Sequence, residues 1–228
     1  LFTPDGSVED PVGSQPHTGA ARIGRFYDTF IGPREIGFDS HADFAAGDTV
    51  VRDVTLRVRM GHTVAMAIPA VLCYQITGAD GEFKVRRLQA YWELPRMMLQ
   101  FLRYGPAAAP AGVALTRALL TNQGLAGTAG FLRGFARPGR ASRALLGDLM
   151  TAFARGDELA VRRLLGHGAR VEADVDDLTH RLRTARPGKI LAAGRSITVS
   201  VRDGDRPCGV LIVDFADATT IARLRFFG

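Results

Sequence analysis

Between residues 49 and 60 the chain alternates: Val54, Leu56 and Val58 are separated by Thr55, Arg57 and Arg59. That two-residue period predicts a strand with one buried face. Over residues 64–76 the polar positions drop out. Met66, Ile68, Ala70, Leu72 and Tyr74 stand on one face, and Ala65, Ala67, Val71 and Cys73 on the other. A strand apolar on both faces is covered on both. Strands are predicted at 36–45, 49–60, 63–76 and 83–92, after a helix over 19–30 and a loop at Gly32-Pro33. Gly78-Ala79-Asp80-Gly81 has the composition of a hairpin turn.

Residues 95–140 are rich in Gly and Ala, lie between Pro95 and Pro138, and read as helices. Leu145, Leu146, Leu149, Met150 and Phe153 then continue a helical pattern up to Arg155-Gly156-Asp157, and a second helix passes Leu159 and Leu165. Strands are predicted at 189–202, 207–216 and 219–227. An internal repeat fits this order. Residues 1–10 align without gaps to 164–173, which sets Asp10 against Ala173. The second copy has two helices ahead of the aligned stretch, so a helical pair is expected ahead of Leu1 as well.

At 228 residues and 46% hydrophobic content the chain can bury one large or two small cores. Cys73 and Cys208 lack metal-ligand spacing and read as buried thiols, which fits a cytoplasmic setting. No apolar run is long enough to span a bilayer. Phosphate-loop, dinucleotide and nucleophile-elbow motifs are absent, and no cofactor or metal is expected. Charge changes the picture more. From Leu94 to Gly147 there are seven arginines and no Asp or Glu, so the rest of this +6 chain sums to −1.

The candidate chemistry lies in Ser7-Val8-Glu9-Asp10-Pro11-Val12-Gly13-Ser14-Gln15-Pro16, followed by Gly19 and Phe26-Tyr27, and in Arg87-Leu88-Gln89-Ala90-Tyr91-Trp92. These segments resemble the bacterial ketosteroid isomerases, relatives of the SnoaL-like proteins in the nuclear transport factor 2-like superfamily. The resemblance implies an α+β fold of two cone-shaped, curved antiparallel sheets with helices, joined by the Arg-rich segment. The division it implies is a first domain over 1–94, a cationic connector over 95–140 and a degenerate second copy over 141–228. It makes Asp10 the proton-shuttling base, which needs an apolar pocket and a raised pKa. Trp92, Tyr74, Val71 and Met66 are the expected lining. Asp10 is expected to face the largest apolar cavity of the first domain, beside Trp92.

The family's carboxylic-acid donor falls on Ala70 or Leu72, both apolar, which leaves Tyr74 and Tyr91 as candidate phenolic substitutes. The function implied is binding of a steroid or polycyclic lipid ketone, with isomerisation of a C=C bond. The alternative is a non-catalytic lipid-binding or membrane-surface protein of the same fold. For residues 95–140, inter-domain packing and contact with an anionic membrane both stay open: Met97, Met98, Leu99, Phe101 and Leu102 crowd one helix between Arg96 and Arg103. Nucleic acid is not an expected partner, because no binding motif accompanies the arginines. The chain would pair either as a homodimer or within itself as a pseudo-dimer.

Overall fold

The computed structural model describes residues 1–79 and 82–228. The turn expected at 78–81 therefore falls partly on Asp80 and Gly81, outside the described residues. The first half runs β1 (Phe2–Glu9), β2 (His17–Thr18), α1 (Ala20–Phe26), a π-helical turn (Tyr27–Ile31), then β3 (Glu35–Ala46), β4 (Thr49–Met60), β5 (Val64–Ala79) and β6 (Glu82–Tyr91). The Arg-rich segment holds α2 (Leu94–Leu102) and α3 (Ala109–Leu132). The second half runs α4 (Arg140–Arg155), α5 (Glu158–Leu165), β7 (Arg170–Val171), α6 (Val175–Leu182), β8 (Arg186–Ala193), β9 (Ser196–Asp203), β10 (Arg206–Phe215) and β11 (Ile221–Phe227). The fold is α+β, with two curved, mainly antiparallel sheets and helices packed on each.

The first sheet has the order β2-β1-β6-β5-β4-β3 and the second β7-β11-β10-β9-β8. In each, the first long-range pair is parallel: β1 with β6, and β7 with β11. The registers correspond too. Val8 lies opposite Leu88 in one sheet and Val171 opposite Leu224 in the other. Counting on from these pairs sets Ala173 at the place of Asp10 and Gly228 at the place of Trp92.

Strand alternation gives each sheet two working faces. On the first sheet, Val54, Met66, Ile68, Ala70, Leu72 and Trp92 point to the concave side, where Met97, Phe101, Leu115 and Phe131 of α2 and α3 cover them. Val51, Val71, Cys73 and Tyr91 point the other way and pack on Leu191, Val210, Ile212 and Phe227 of the second sheet. The expectation that β5 is covered on both faces holds in its second half. Ala65 and Ala67 are exposed. Beyond its pairing with β6, β5 has an open edge there, and α2 and the turn after it close it: Gln100 bonds the backbone of Ala67, and Tyr104 that of Ala65. Covering an edge in this way removes a template for unwanted strand pairing.

A polar network crosses the packed sheets. Lys189 is ion-paired with Asp53 and donates to the carbonyls of Val54 and Ala70 at 2.9 and 2.7 Å. Ser200 Oγ donates to the second Asp53 oxygen at 2.5 Å. Arg225 donates to the Tyr91 hydroxyl at 3.0 Å and to Asp214 at 3.1 Å. Burial pulls the Lys189 ammonium down, and Asp53 opposes that pull.

Two sequence expectations need correction. The single strand expected over 189–202 is a hairpin, β8 and β9, broken at Gly194 with φ 59°. Helix α6 is an addition to the expected elements; Asp174 caps it by accepting from the Asp176 and Asp177 amides. Gly194 also meets Gly13 across the two halves. A Cβ on Gly13 (φ 96°) would lie 2.4 Å from Gly194 Cα, and one on Gly194 would lie 2.7 Å from Gly13 Cα. Neither backbone can move aside cheaply. Gly13→Ala is therefore expected to cost about 3 kcal/mol from overpacking plus the left-handed φ. Urea denaturation checks this; a cost under about 1 kcal/mol would mean that the two loops are not locked together.

Candidate functional site

Asp10 and Glu9 are neighbours in sequence and part company in space, because adjacent strand residues face opposite ways. Glu9 has a structural role: its carboxylate accepts from the Gly13 amide and from Gln89, both at 3.0 Å. This ties down the loop that follows Asp10. The Val12 amide donates to the Ala90 carbonyl at 2.8 Å, so β6 guides the chain past the site. Asp10 itself turns to the concave side, where Trp92 Nε1 donates to its Oδ1 at 2.5 Å.

Burial pushes the Asp10 carboxyl up to about 6 from 3.8, with the Trp92 hydrogen bond holding it back. A carboxylate poised there is ionised at neutral pH and still basic enough to take a proton. Two half-buried phenols feel its charge. Burial raises Tyr27, and Asp10 adds to the rise. Burial also raises Tyr74, Arg52 opposes it, and Tyr27 and Asp10 add to it. Raised phenols stay protonated and can donate hydrogen bonds.

Helix α3 closes this region. The Gln15 amide donates to the Gly130 carbonyl, Phe131 stacks on Phe30 at 5.0 Å, and Gly134 leaves room for Pro11. Gln123 donates to the Arg25 carbonyl and the Thr29 hydroxyl, both at 3.1 Å. The helix thus seats on the π-helical turn that carries Tyr27.

The expected lining divides. Trp92 and Tyr74 share the concave face with Asp10. Met66 is on that face too, but four residues along β5 from Ala70, roughly 13 Å at strand rise, and it packs in the α2 core. Val71 is a correction: its odd position turns it to the opposite face, into the contact between the sheets. Tyr91 is removed from the donor candidates for the same reason, since its hydroxyl serves Arg225. His17 is half-buried against Phe26 at 5.1 Å. Ala70 and Leu72 are buried on the concave face and supply no donor.

Two cavities lie away from Asp10. The larger, about 540 Å³, lies in the second half, lined by Leu146, Met150, Ile190 and Ile197 with Arg143 and Arg155. In the first half, side chains of α2 and α3 pack on the concave face.

The Trp92 bond offers a direct check. Trp92→Phe removes the donor, so Asp10 is expected to titrate about one pH unit higher, the size of a charge-assisted hydrogen bond. A carboxyl-carbon NMR titration reads this. An unmoved midpoint would mean that the indole does not hold the carboxylate.

No family model matches the chain, and no curated protein matches it. Among solved structures, the chain is similar to a Δ5-3-ketosteroid isomerase from Mycobacterium sp., with 24% identity over 42% of this chain and 77% of that one, at a TM-score of 0.38. It is similar to a Mycobacterium tuberculosis protein in complex with estradiol-17beta-hemisuccinate, with 21% identity over 42% and 78% of the two chains, at a TM-score of 0.38. It is also similar to a putative SnoaL-like polyketide cyclase from Jannaschia, with 18% identity over 43% and 72%, at a TM-score of 0.37.

Proposed function

We propose that the first half binds a steroid-like or polycyclic lipid ketone, with Asp10 as the base that moves a proton between carbons flanking a C=C bond. The observation that carries this reading is the Asp10 carboxyl, raised by burial and held by one indole N–H on an otherwise apolar concave face. The motif around Asp10 supports it, since it resembles the base segment of the isomerases. On this reading residues 1–94 are the acting domain, 95–140 the connector and 141–228 a copy without the base, where Ala173 and Gly228 replace Asp10 and Trp92.

In the proposed reaction, ionised Asp10 takes a proton from the carbon between the ketone and the β,γ double bond. The electron pair moves toward the ketone oxygen, giving a dienolate, and Asp10 returns the proton to the γ carbon. Tyr27 and Tyr74 are the candidate donors to that oxygen. With Ala70 and Leu72 in the place of an acid, turnover should be slow, because one lost oxyanion donor costs roughly 100- to 1000-fold.

The rival reading is non-catalytic binding of the same ligand class, favoured by the apolar Ala70 and Leu72, which supply no donor to a ketone oxygen. Trp92 is the one tryptophan of the chain and touches Asp10, so its fluorescence reports occupancy. A β,γ-unsaturated steroid ketone is expected to quench it in a saturable way. Quenching without formation of the conjugated enone would favour the rival. No quenching up to the solubility limit would remove both readings.

A further inference from the structure

We propose that the outward faces of α2 and α3 dock on the surface of an anionic lipid bilayer. The inward faces of these helices are occupied by the first sheet, through Met97, Phe101, Leu115 and Phe131. Their outward faces have no partner among the described residues. Leu99, Leu102, Val113, Leu120, Leu125 and Leu132 are all exposed there, with Val113 at 69% and Leu125 at 81%. Six large apolar side chains exposed along two consecutive helices are the kind of surface that marks an interaction site.

Charge decides the occupant. Arg96, Arg103, Arg117 and Arg133 are exposed among these leucines, and no Asp or Glu occurs between Leu94 and Gly147. A second copy of the chain would set this face against itself and bring arginine onto arginine with no acid to neutralise either. The sheet faces are already paired within the chain. An anionic bilayer surface supplies both missing complements, headgroup charge for the arginines and an acyl boundary for the leucines. Helix α3 has one charge, Arg117, over its 24 residues, and its backbone breaks at Gly124 with φ 65°. No helix among the described residues is long and apolar enough to cross a membrane. Because α3 also closes the Asp10 region, docking there would place the proposed ligand site next to the phase in which hydrophobic ligands dissolve.

The test uses the whole chain and does not depend on Asp10 chemistry. Co-sedimentation is measured with phosphatidylcholine vesicles and with vesicles that also contain phosphatidylglycerol, at low and high salt. Binding is expected only with phosphatidylglycerol and should weaken as salt rises. Each arginine near such a surface is worth about fivefold in affinity, so Arg96→Glu/Arg103→Glu/Arg117→Glu should lose at least about 100-fold. These side chains are exposed, so folding should survive, which circular dichroism checks. In a separate Leu125→Trp variant, fluorescence should shift to the blue on adding the anionic vesicles. Equal binding to both vesicle types overturns the proposal, as does failure to bind either. A concentration-dependent dimer that Leu120→Asp dissolves, with no vesicle binding, would assign the face to a second copy instead.

Discussion

Lys189→Met is expected to destabilise the protein by about 3–5 kcal/mol, the usual cost of breaking a buried ion pair from one side. Lys189 is 19% exposed at its side chain and Asp53 10%, and the pair lies between the two sheets. Methionine fills the space of the lysine stem but leaves the Asp53 carboxylate without its cation. It also leaves the Val54 and Ala70 carbonyls without the ammonium donor. Lys189→Met/Asp53→Leu should regain most of the loss, because an apolar pair of similar volume is often as stable as the ion pair. Urea denaturation of the three proteins measures both numbers. A single-variant cost under about 1 kcal/mol would place the pair in water, as for exposed pairs.

Asp10→Asn should act in opposite directions on function and stability. Asparagine keeps the shape and still accepts from Trp92, but it cannot take a proton. Loss of a general base typically costs about 100- to 10,000-fold in rate. For stability, the folded carboxyl titrates at about 6 and an ordinary aspartate at 3.8. Below about pH 4 both the folded and the unfolded chain are protonated there and Asp10 costs nothing. As pH rises from about 4 to about 6 the unfolded chain ionises first, so wild-type stability falls. Above about pH 6 the ionised group in the folded state costs about 3 kcal/mol, because it titrates roughly two pH units higher than in the unfolded chain. The variant escapes this cost, so its advantage should grow by up to that amount between about pH 4 and about pH 7. A difference that does not change with pH would mean that Asp10 is solvated in the folded protein.

Much of this architecture is legible in the chain. β4 has the predicted ends, and its alternation is clean from Val54 to Met60. β5 reads as two-faced, because a second sheet and a helical layer both press on its later half. The elements that escape a reading of the sequence depend on few residues or on distant ones. α6 is a two-turn helix whose main signal is the capping Asp174 with Asp176 and Asp177. The β8–β9 hairpin turns at Gly194-Arg195, a two-residue break between apolar stretches.

The site is legible where a local motif carries it, which is why Asp10 and Trp92 meet as expected. Apolar character alone points Val71 and Met66 to the lining; parity along β5 excludes the first and distance separates the second. Phe26-Tyr27 belongs to the local motif, but only the structure shows that Tyr27 starts a π-helical turn and feels the Asp10 charge. The sheet-to-sheet network is hidden in the same way. Its one local sign is Asp53, a carboxylate between Val51 and Val54 on a strand that has to be covered.

The central claim is that Asp10 is a working base. Conversion of a β,γ-unsaturated steroid ketone to the conjugated enone, followed by ultraviolet absorbance in wild type and Asp10→Asn across about pH 4.5–8, tests it most directly. The account predicts a slow wild-type rate that rises with an apparent pKa of about 6 and is lost in the variant, while the variant still shows ligand quenching of Trp92. A wild-type rate that Asp10→Asn leaves unchanged would contradict it.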